Sequence, residues 1–378
     1  MTANLKQAHL FPEVGIPFFW PFGIALKLEE NALDIEAKNL QYLSEIIKTE
    51  VVKPQPQWAS KNQQVYSLKT FTLRDFSREK EKKETPVLIL PPYAGHTSVI
   101  ADFHKNQSLV EALLKLGIHN IVLTDWHSAS LEMKDYDIDN YLAELDIAID
   151  DLGGFVHLIG LCQGGWLASL YAARFPHKVN TLVLAGAPID TQAGHGPIKD
   201  YVNKLPYSFY QEMVSAGGGL MRGSFMVEGF KSMHPKKQYM EKYVDLYEHI
   251  DDPDYVKRIE NFERWYEYTI DLPGRWYLQV VKELFIENRF VKGKFVGLGK
   301  TLDPKEITCP LYLLAGNKDD ITPQEQVFQA AHFFGTPKSK IKQEVAQGGH
   351  IGLFMGTKAL AQEWPKIARW LMANSKDK

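Results

Sequence analysis

The chain of 378 residues is 45% hydrophobic and carries a net charge of −3, which allows one large domain or one domain with a sizeable insertion and gives no reason to expect nucleic acid or another polyanion as a partner. Its two cysteines, Cys162 and Cys309, make neither a disulfide framework nor a zinc spacing, so a reducing, cytoplasmic compartment fits and no metal or cofactor is expected.

In chain order, the apolar stretch VGIPFFWPFGIAL (14–26) has no basic region before it and holds two prolines. It lacks a signal-peptide pattern and is too short to span a bilayer as a helix. It either packs on the core or makes a hydrophobic surface contact with a partner, a lipid layer or a polymer granule. Leu28, Leu33, Ile35, Leu40, Leu43, Ile46 and Ile47 recur at helical spacing, giving an N-terminal helical arm (1–60) that VVKPQPQW interrupts. VYSLKTFTL (65–73) has strand-like residues, and SREKEKKETP (77–86) is a solvated charged loop.

Short, wholly apolar runs then alternate with helical spacing: VLIL, SLVEALLKLG (108–117), NIVLTDW, YLAELDIAIDDLG, VHLIGLC, GGWLASLYAARFP and VNTLVLAGAPID. This alternation predicts an α/β fold with a mostly parallel sheet covered by helices on both faces. From 193 to 300 the chain turns aromatic, Met-rich and charged, and reads as mostly helical, the pattern of an inserted helical cap. The strand pattern resumes at CPLYLLAG (309–316) and KIKQEV (340–345), and KALAQEWPKIARWLMAN closes the chain as a helix. The predicted core is therefore split into 61–192 and 301–378, with no internal repeat.

Gly160-Leu161-Cys162-Gln163-Gly164 sits between a predicted strand and helix. It reads as the cysteine form of the G-x-S-x-G elbow, where the nucleophile stands on a sharp turn flanked by glycines. The helix N-terminus behind it favours a thiolate. On its own the motif fits a structural thiol equally well. A nucleophile needs a base and an orienting acid, which the α/β-hydrolase order places downstream as acid and then histidine. LYLLAGNKDDITP supplies Asp319, in a strand–G–x–x–D–x–I–x–P pattern, with Asp320 as the other candidate; VAQGGHIGLF supplies His350. The oxyanion donors would be the N–H of Gln163 and one from the PPYAGHTS loop, Tyr93 or Ala94. His96 in that loop contacts substrate or is structural. Trp166 is a candidate substrate contact, and Trp265, Tyr266, Tyr268, Trp276 and Tyr277 line an apolar substrate channel or form the core of the cap.

From about residue 86 onward the chain resembles the polyhydroxyalkanoate enzymes of the α/β-hydrolase fold: intracellular poly(3-hydroxybutyrate) depolymerases and poly(3-hydroxyalkanoate) synthases. PPY, SLVEALLKLG, TDW, the Cys162 elbow and GHIG are common to both. CQGG and PKEITCPLYLLAGNKDDITP are synthase-like, whereas GAPIDT, GFKSMHP, WYEYTIDLPGRWYLQ, DDITPQEQVFQAAH and GHIGLFMG look like the depolymerases. The chain departs from the depolymerase pattern at Gly164-Gly165, where that family has a nearby proline, and it lacks a synthase-type Trp-Asn segment in the cap. The resemblance implies Cys162 as nucleophile, Asp319 as orienting acid and His350 as base. It implies hydrolysis of polyhydroxyalkanoate esters through an acyl-enzyme, with polymerisation of 3-hydroxyacyl-CoA as the alternative and a non-catalytic granule-binding protein as a third reading. The implied partners are the polymer or its granule surface, or 3-hydroxyacyl-CoA, with no nucleic acid, no transmembrane segment, and a homodimer as the candidate assembly.

Overall fold

A computed structural model of the chain describes residues 55–78, 84–233 and 242–375. The apolar stretch 14–26 and the predicted helix 28–50 lie outside the described residues. Eight strands form the central sheet: β1 (Gln63–Ser67), β2 (Phe71–Asp75), β3 (Val87–Leu90), β4 (Ile121–Trp126), β5 (Val156–Leu161), β6 (Val179–Ala185), β7 (Leu311–Gly316) and β8 (Ile341–Ala346). Their spatial order is β1-β2-β4-β3-β5-β6-β7-β8. β1 and β2 pair antiparallel, as do β2 and β4. Every pairing from β4 to β8 is parallel. This is the α/β-hydrolase fold.

The inner parallel strands are buried on both faces, which is why they read as unbroken apolar runs, whereas β8 at the sheet edge is largely exposed. Every residue of β3, β5, β6 and β7 is buried. Helices α1 (Leu109–Lys115), α2 (Ile138–Asp151) and α3 (Gln163–Arg174) pack on them. Leu142, Leu145, Leu170 and Tyr171 meet Leu88, Leu158, Leu182 and Leu313 in one core. α1 begins where the Ser108 hydroxyl accepts the Glu111 N–H at 2.8 Å, a side-chain N-cap.

Two expected elements are divided. The 65–73 stretch is a hairpin rather than one strand, because the chain reverses at residues 68–70 and the Leu68 N–H bonds back to the Phe71 carbonyl at 2.9 Å. The closing helix is two, Thr357–Gln362 and Trp364–Ala373. Pro365, which has no N–H to donate, starts the second of them. Between β6 and β7 helices dominate, but Leu220–Met221 pairs antiparallel with Leu272–Pro273, and the helix beginning at Gly274 widens to π geometry over Val280–Ile286.

Contacts divide the chain into two units. The larger, residues 56–227 with 268–378, contains the sheet. The smaller joins residues 1–55 with 228–267 and is described only at residue 55 and over 228–233 and 242–267. There Leu246, Tyr247, Ile250 and Val256 form a core of their own, and Lys231 pairs with Glu267 at 2.7 Å. No helix among the described residues is long and apolar enough to cross a membrane.

Candidate active site

Strand register gathers the site. Leu161 at the end of β5 lies beside Ala185 of β6, and Ala185 lies beside Leu314 of β7. Gly316 of β7 lies beside Ala346 of β8. The loops that leave these strands therefore emerge at one edge of the sheet, the carboxyl edge where α/β folds place their ligands.

Cys162 is the whole of the turn between β5 and α3. Its N–H still completes the ladder with the Ala185 carbonyl at 2.9 Å, while its own carbonyl accepts the Gly165 N–H at 2.8 Å. The reversal forces φ 51° and ψ −118°, a conformation that costs a non-glycine residue energy. The glycines around it are required by contact. A Cβ on Gly164 would lie 2.0 Å from the Leu90 carbonyl oxygen, one on Gly160 2.3 Å from the Gly165 Cα, and one on Gly165 2.3 Å from the Ala187 Cβ. Cys162 as a whole is buried, 8% exposed.

The Asp319 carboxylate is fixed from two sides. Oδ1 accepts the N–H groups of Ile321 and Thr322 at 3.0 and 2.8 Å, and Oδ2 pairs with His350 Nδ1 at 2.7 Å. The Asp319 side chain is fully buried, whereas Asp320 is exposed. Burial disfavours a charged His350, but Cys162 and Asp319 beside it outweigh burial and raise its proton affinity well above the usual imidazole range. The imidazole is thus positioned with an acceptor at one nitrogen and the Cys162 thiol close by. The Asn317 side chain ties the two loops together, its Oδ1 accepting the Gly348 N–H at 3.0 Å and its Nδ2 donating to Gln347 Oε1 at 2.8 Å.

Gln163 opens α3, and its N–H finds no protein acceptor among the described residues. The loop after β3 leaves from Leu90, which lies beside Gly160. In that loop Tyr93 is buried and Ala94 is half-buried. The Tyr93 hydroxyl sits between the carbonyls of His127 and Asp271, at 3.0 and 3.2 Å, and accepts from the Tyr141 hydroxyl at 3.1 Å. His96 is half-buried and bridges to Thr269.

Trp166 and Trp276 are 2% and 1% exposed, with ring centroids 5.7 Å apart. Trp276 also meets Tyr93 at 5.1 Å. Neither indole N–H has a hydrogen-bond partner among the described residues. Trp265 lies in the smaller unit and packs there against Phe262 and Tyr266.

Sequence reading missed Gly186, the residue after β6. It has φ +55°, and a Cβ there would stand 3.2 Å from His350 Cε1, so it clears space for the imidazole. It also missed Asn317 and Phe354, whose ring stands edge-on to His350 at 5.3 Å. The glycine that follows a buried strand was the available signal for the first; nothing in the local pattern announces the others. Among the described residues, no cluster of three His, Cys, Asp or Glu side chains is arranged to hold a metal ion.

The chain is 28% identical over 354 residues to the poly(3-hydroxyalkanoate) polymerase subunit PhaC of Allochromatium vinosum, covering 91% of this chain and 97% of that one. It is 26% identical over 372 residues to the protein of the same name in Synechocystis, covering 95% and 96%. These relatives are named polymerases, which favours the synthase alternative and leaves the expected depolymerase reading without support. Among solved structures, a carboxylesterase of the thaumarchaeon Nitrososphaera gargenis superposes with a TM-score of 0.51 at 15% identity, over 82% of this chain and 99% of that one. Residues 61–371 match a defined protein family, and the chain belongs to it: the family described as "Protein of unknown function (DUF3141)".

Proposed function

We propose that the chain is an acyltransferase that polymerises 3-hydroxyacyl-CoA into polyhydroxyalkanoate through an acyl-cysteine. The observation that carries the reading is the buried Asp319–His350 pair at 2.7 Å, set beside a cysteine on a strained elbow. The polymerase names of the relatives support the substrate class.

In this reading His350 takes the Cys162 proton and the sulfur attacks the thioester carbonyl. The tetrahedral oxyanion is held by the Gln163 N–H and one from the Tyr93–Ala94 loop. The thioester bond breaks, the acyl group stays on Cys162, and His350 returns the proton to the departing coenzyme A sulfur. The hydroxyl of a growing chain then attacks the acyl-cysteine, gives its proton to His350, and leaves as the extended ester, while Cys162 recovers its proton. Asp319 holds the imidazole ring and stabilises its charged form. Exchange of one thioester for another is nearly isoenergetic, which suits a cysteine here. The working surface is then the polymer granule, and the word "subunit" in the relatives' names supports work in an assembly.

The test is incubation with 3-hydroxybutyryl-CoA, followed by intact-mass detection of an acyl adduct and by coenzyme A release. Wild-type protein should gain the adduct and Cys162→Ala should not. Release of 3-hydroxy acid from amorphous polymer with no adduct from the thioester would replace this reading by hydrolysis. Granule binding with neither product would leave only the non-catalytic reading.

A further inference from the structure

We infer that Asp271 is a positioning residue for the loop that supplies the second oxyanion donor. The inference rests on the acyl-transfer reading above and on Tyr93–Ala94 as that loop. Asp271 lies within the family-like stretch WYEYTIDLPGRWYLQ, which by itself gives the residue no role.

Residues 269–271 lie against the 93–96 loop along its length. The Ile270 N–H bonds to the Gly95 carbonyl at 2.9 Å, His96 bridges to Thr269, and the Tyr93 hydroxyl reaches the Asp271 carbonyl at 3.2 Å. The same residue is held by the loop after β4: its N–H donates to Ser128 Oγ at 3.0 Å, and its carbonyl accepts the Ala129 N–H at 2.8 Å. The backbone of Asp271 is therefore the shared support of two loops at the carboxyl edge of the sheet.

The carboxylate fixes that support from the other side. Oδ2 pairs with Arg222 Nη1 at 2.7 Å and Oδ1 accepts the Gly223 N–H at 2.9 Å. This clamps residues 222–223 against the 269–271 segment so closely that a Cβ on Gly223 would fall 2.3 Å from the Ile270 carbonyl oxygen. The clamped turn in turn backs Gly95, which has φ +89° and whose added Cβ would meet Met226 Cβ at 3.2 Å and the Gly223 carbonyl at 3.4 Å. The 93–96 loop is thus sandwiched, and one carboxylate closes the sandwich. An oxyanion donor works only when it is held where the charge develops. Loosening Asp271 should displace the donor without touching the nucleophile.

Two reactions of the same sulfur separate these effects. Acylation by 3-hydroxybutyryl-CoA passes through a tetrahedral oxyanion; alkylation by iodoacetamide does not. Asp271→Ala should slow acylation by ~10–100-fold, less than outright loss of an oxyanion donor, while the alkylation rate stays within about twofold. Asp271→Asn keeps an acceptor for the Gly223 N–H and loses the ion pair, so its acylation should fall between wild type and Asp271→Ala. If Asp271→Ala does not fold, the Asn variant and Arg222→Met carry the test, each slowing acylation more than alkylation. Acylation unchanged in the folded variants, or acylation and alkylation falling together, overturns the inference. Failure of wild-type Cys162 to acylate at all overturns the acyl-transfer reading instead.

Discussion

The second residue of β5, the strand that leads into Cys162, is a buried histidine, and its protonation should unlock the floor of the sheet. His157 is 1% exposed. Its Nε2 lies 2.9 Å from the Ser375 hydroxyl, which itself donates to the Leu371 carbonyl. The Ser375 oxygen therefore accepts a proton from Nε2, and Nδ1 accepts one from the Thr181 hydroxyl at 2.8 Å. The neutral ring is satisfied, and burial lowers its pKa from 6.5 to about 4. The sign follows from linkage. Between these two values the unfolded chain binds the proton and the folded chain does not, so stability is fully present above 6.5 and is lost as pH falls toward 4. At pH 4.5 the loss is about 2–3 kcal/mol, since each pKa unit is worth about 1.4 kcal/mol. His350 has the opposite sign: its contribution is full below 6.5 and is lost as pH rises from there through its raised folded value, so it adds no slope between 6.5 and 4, and its slope above 6.5 is common to wild type and variant. Urea unfolding followed by tryptophan fluorescence at pH 7.5 and 4.5, for wild type and His157→Gln, measures the difference. The wild type should lose about 2–3 kcal/mol more than the variant on acidification. Equal losses would refute the claim that the fold holds His157 neutral.

Asp319→Asn should slow acylation of Cys162 by about 10²–10⁴-fold, because the amide can present an N–H to His350 Nδ1 and reverse the ring's tautomer, while Asp320→Asn stays within a few-fold; single-turnover rates decide between the two acids. Cys162→Ser keeps the elbow but should lose the acyl adduct from 3-hydroxybutyryl-CoA, read by intact mass. Gly164→Ala drives a Cβ to within 2.0 Å of the Leu90 carbonyl oxygen and should destabilise the fold by about 1–3 kcal/mol, seen as a lowered urea midpoint. Gly186→Ala meets both a positive φ and the His350 ring; it should cost about 1–2 kcal/mol and slow acylation by about tenfold through a displaced imidazole.

The inner parallel strands were legible because each is buried on both faces, so apolar runs alternate with helical spacing along the chain. The hairpin at 68–70 was not, because Leu68, Lys69 and Thr70 carry no turn residue; Glu144 of α2 instead accepts the Thr70 N–H and hydroxyl, a tertiary contact with no local signature. The two-residue pairing of Leu220–Met221 with Leu272–Pro273 is too short to impose a period. Strand-ending motifs marked Asp319 and His350, and the structure pairs the two, the other Asp319 oxygen accepting the N–H groups of Ile321 and Thr322.

Gly164-Gly165 carries a different lesson. In the sequence this pair looks like a marker of reaction type, the synthase form of the elbow. In the fold each glycine answers a contact: Gly164 passes the end of β3 at Leu90, and Gly165 passes Ala187 beyond β6. Any side chain there would push α3 off the sheet, whatever Cys162 went on to do. The pair therefore reports how tightly α3 is seated on β3 and β6, and it carries no information on whether water or a hydroxyl accepts the acyl group. In the proposed mechanism that choice falls one step later, at the acyl-cysteine, to whichever nucleophile reaches His350 first. The discriminating measurement is accordingly the fate of the acyl adduct, free acid or extended ester, after it has formed on Cys162.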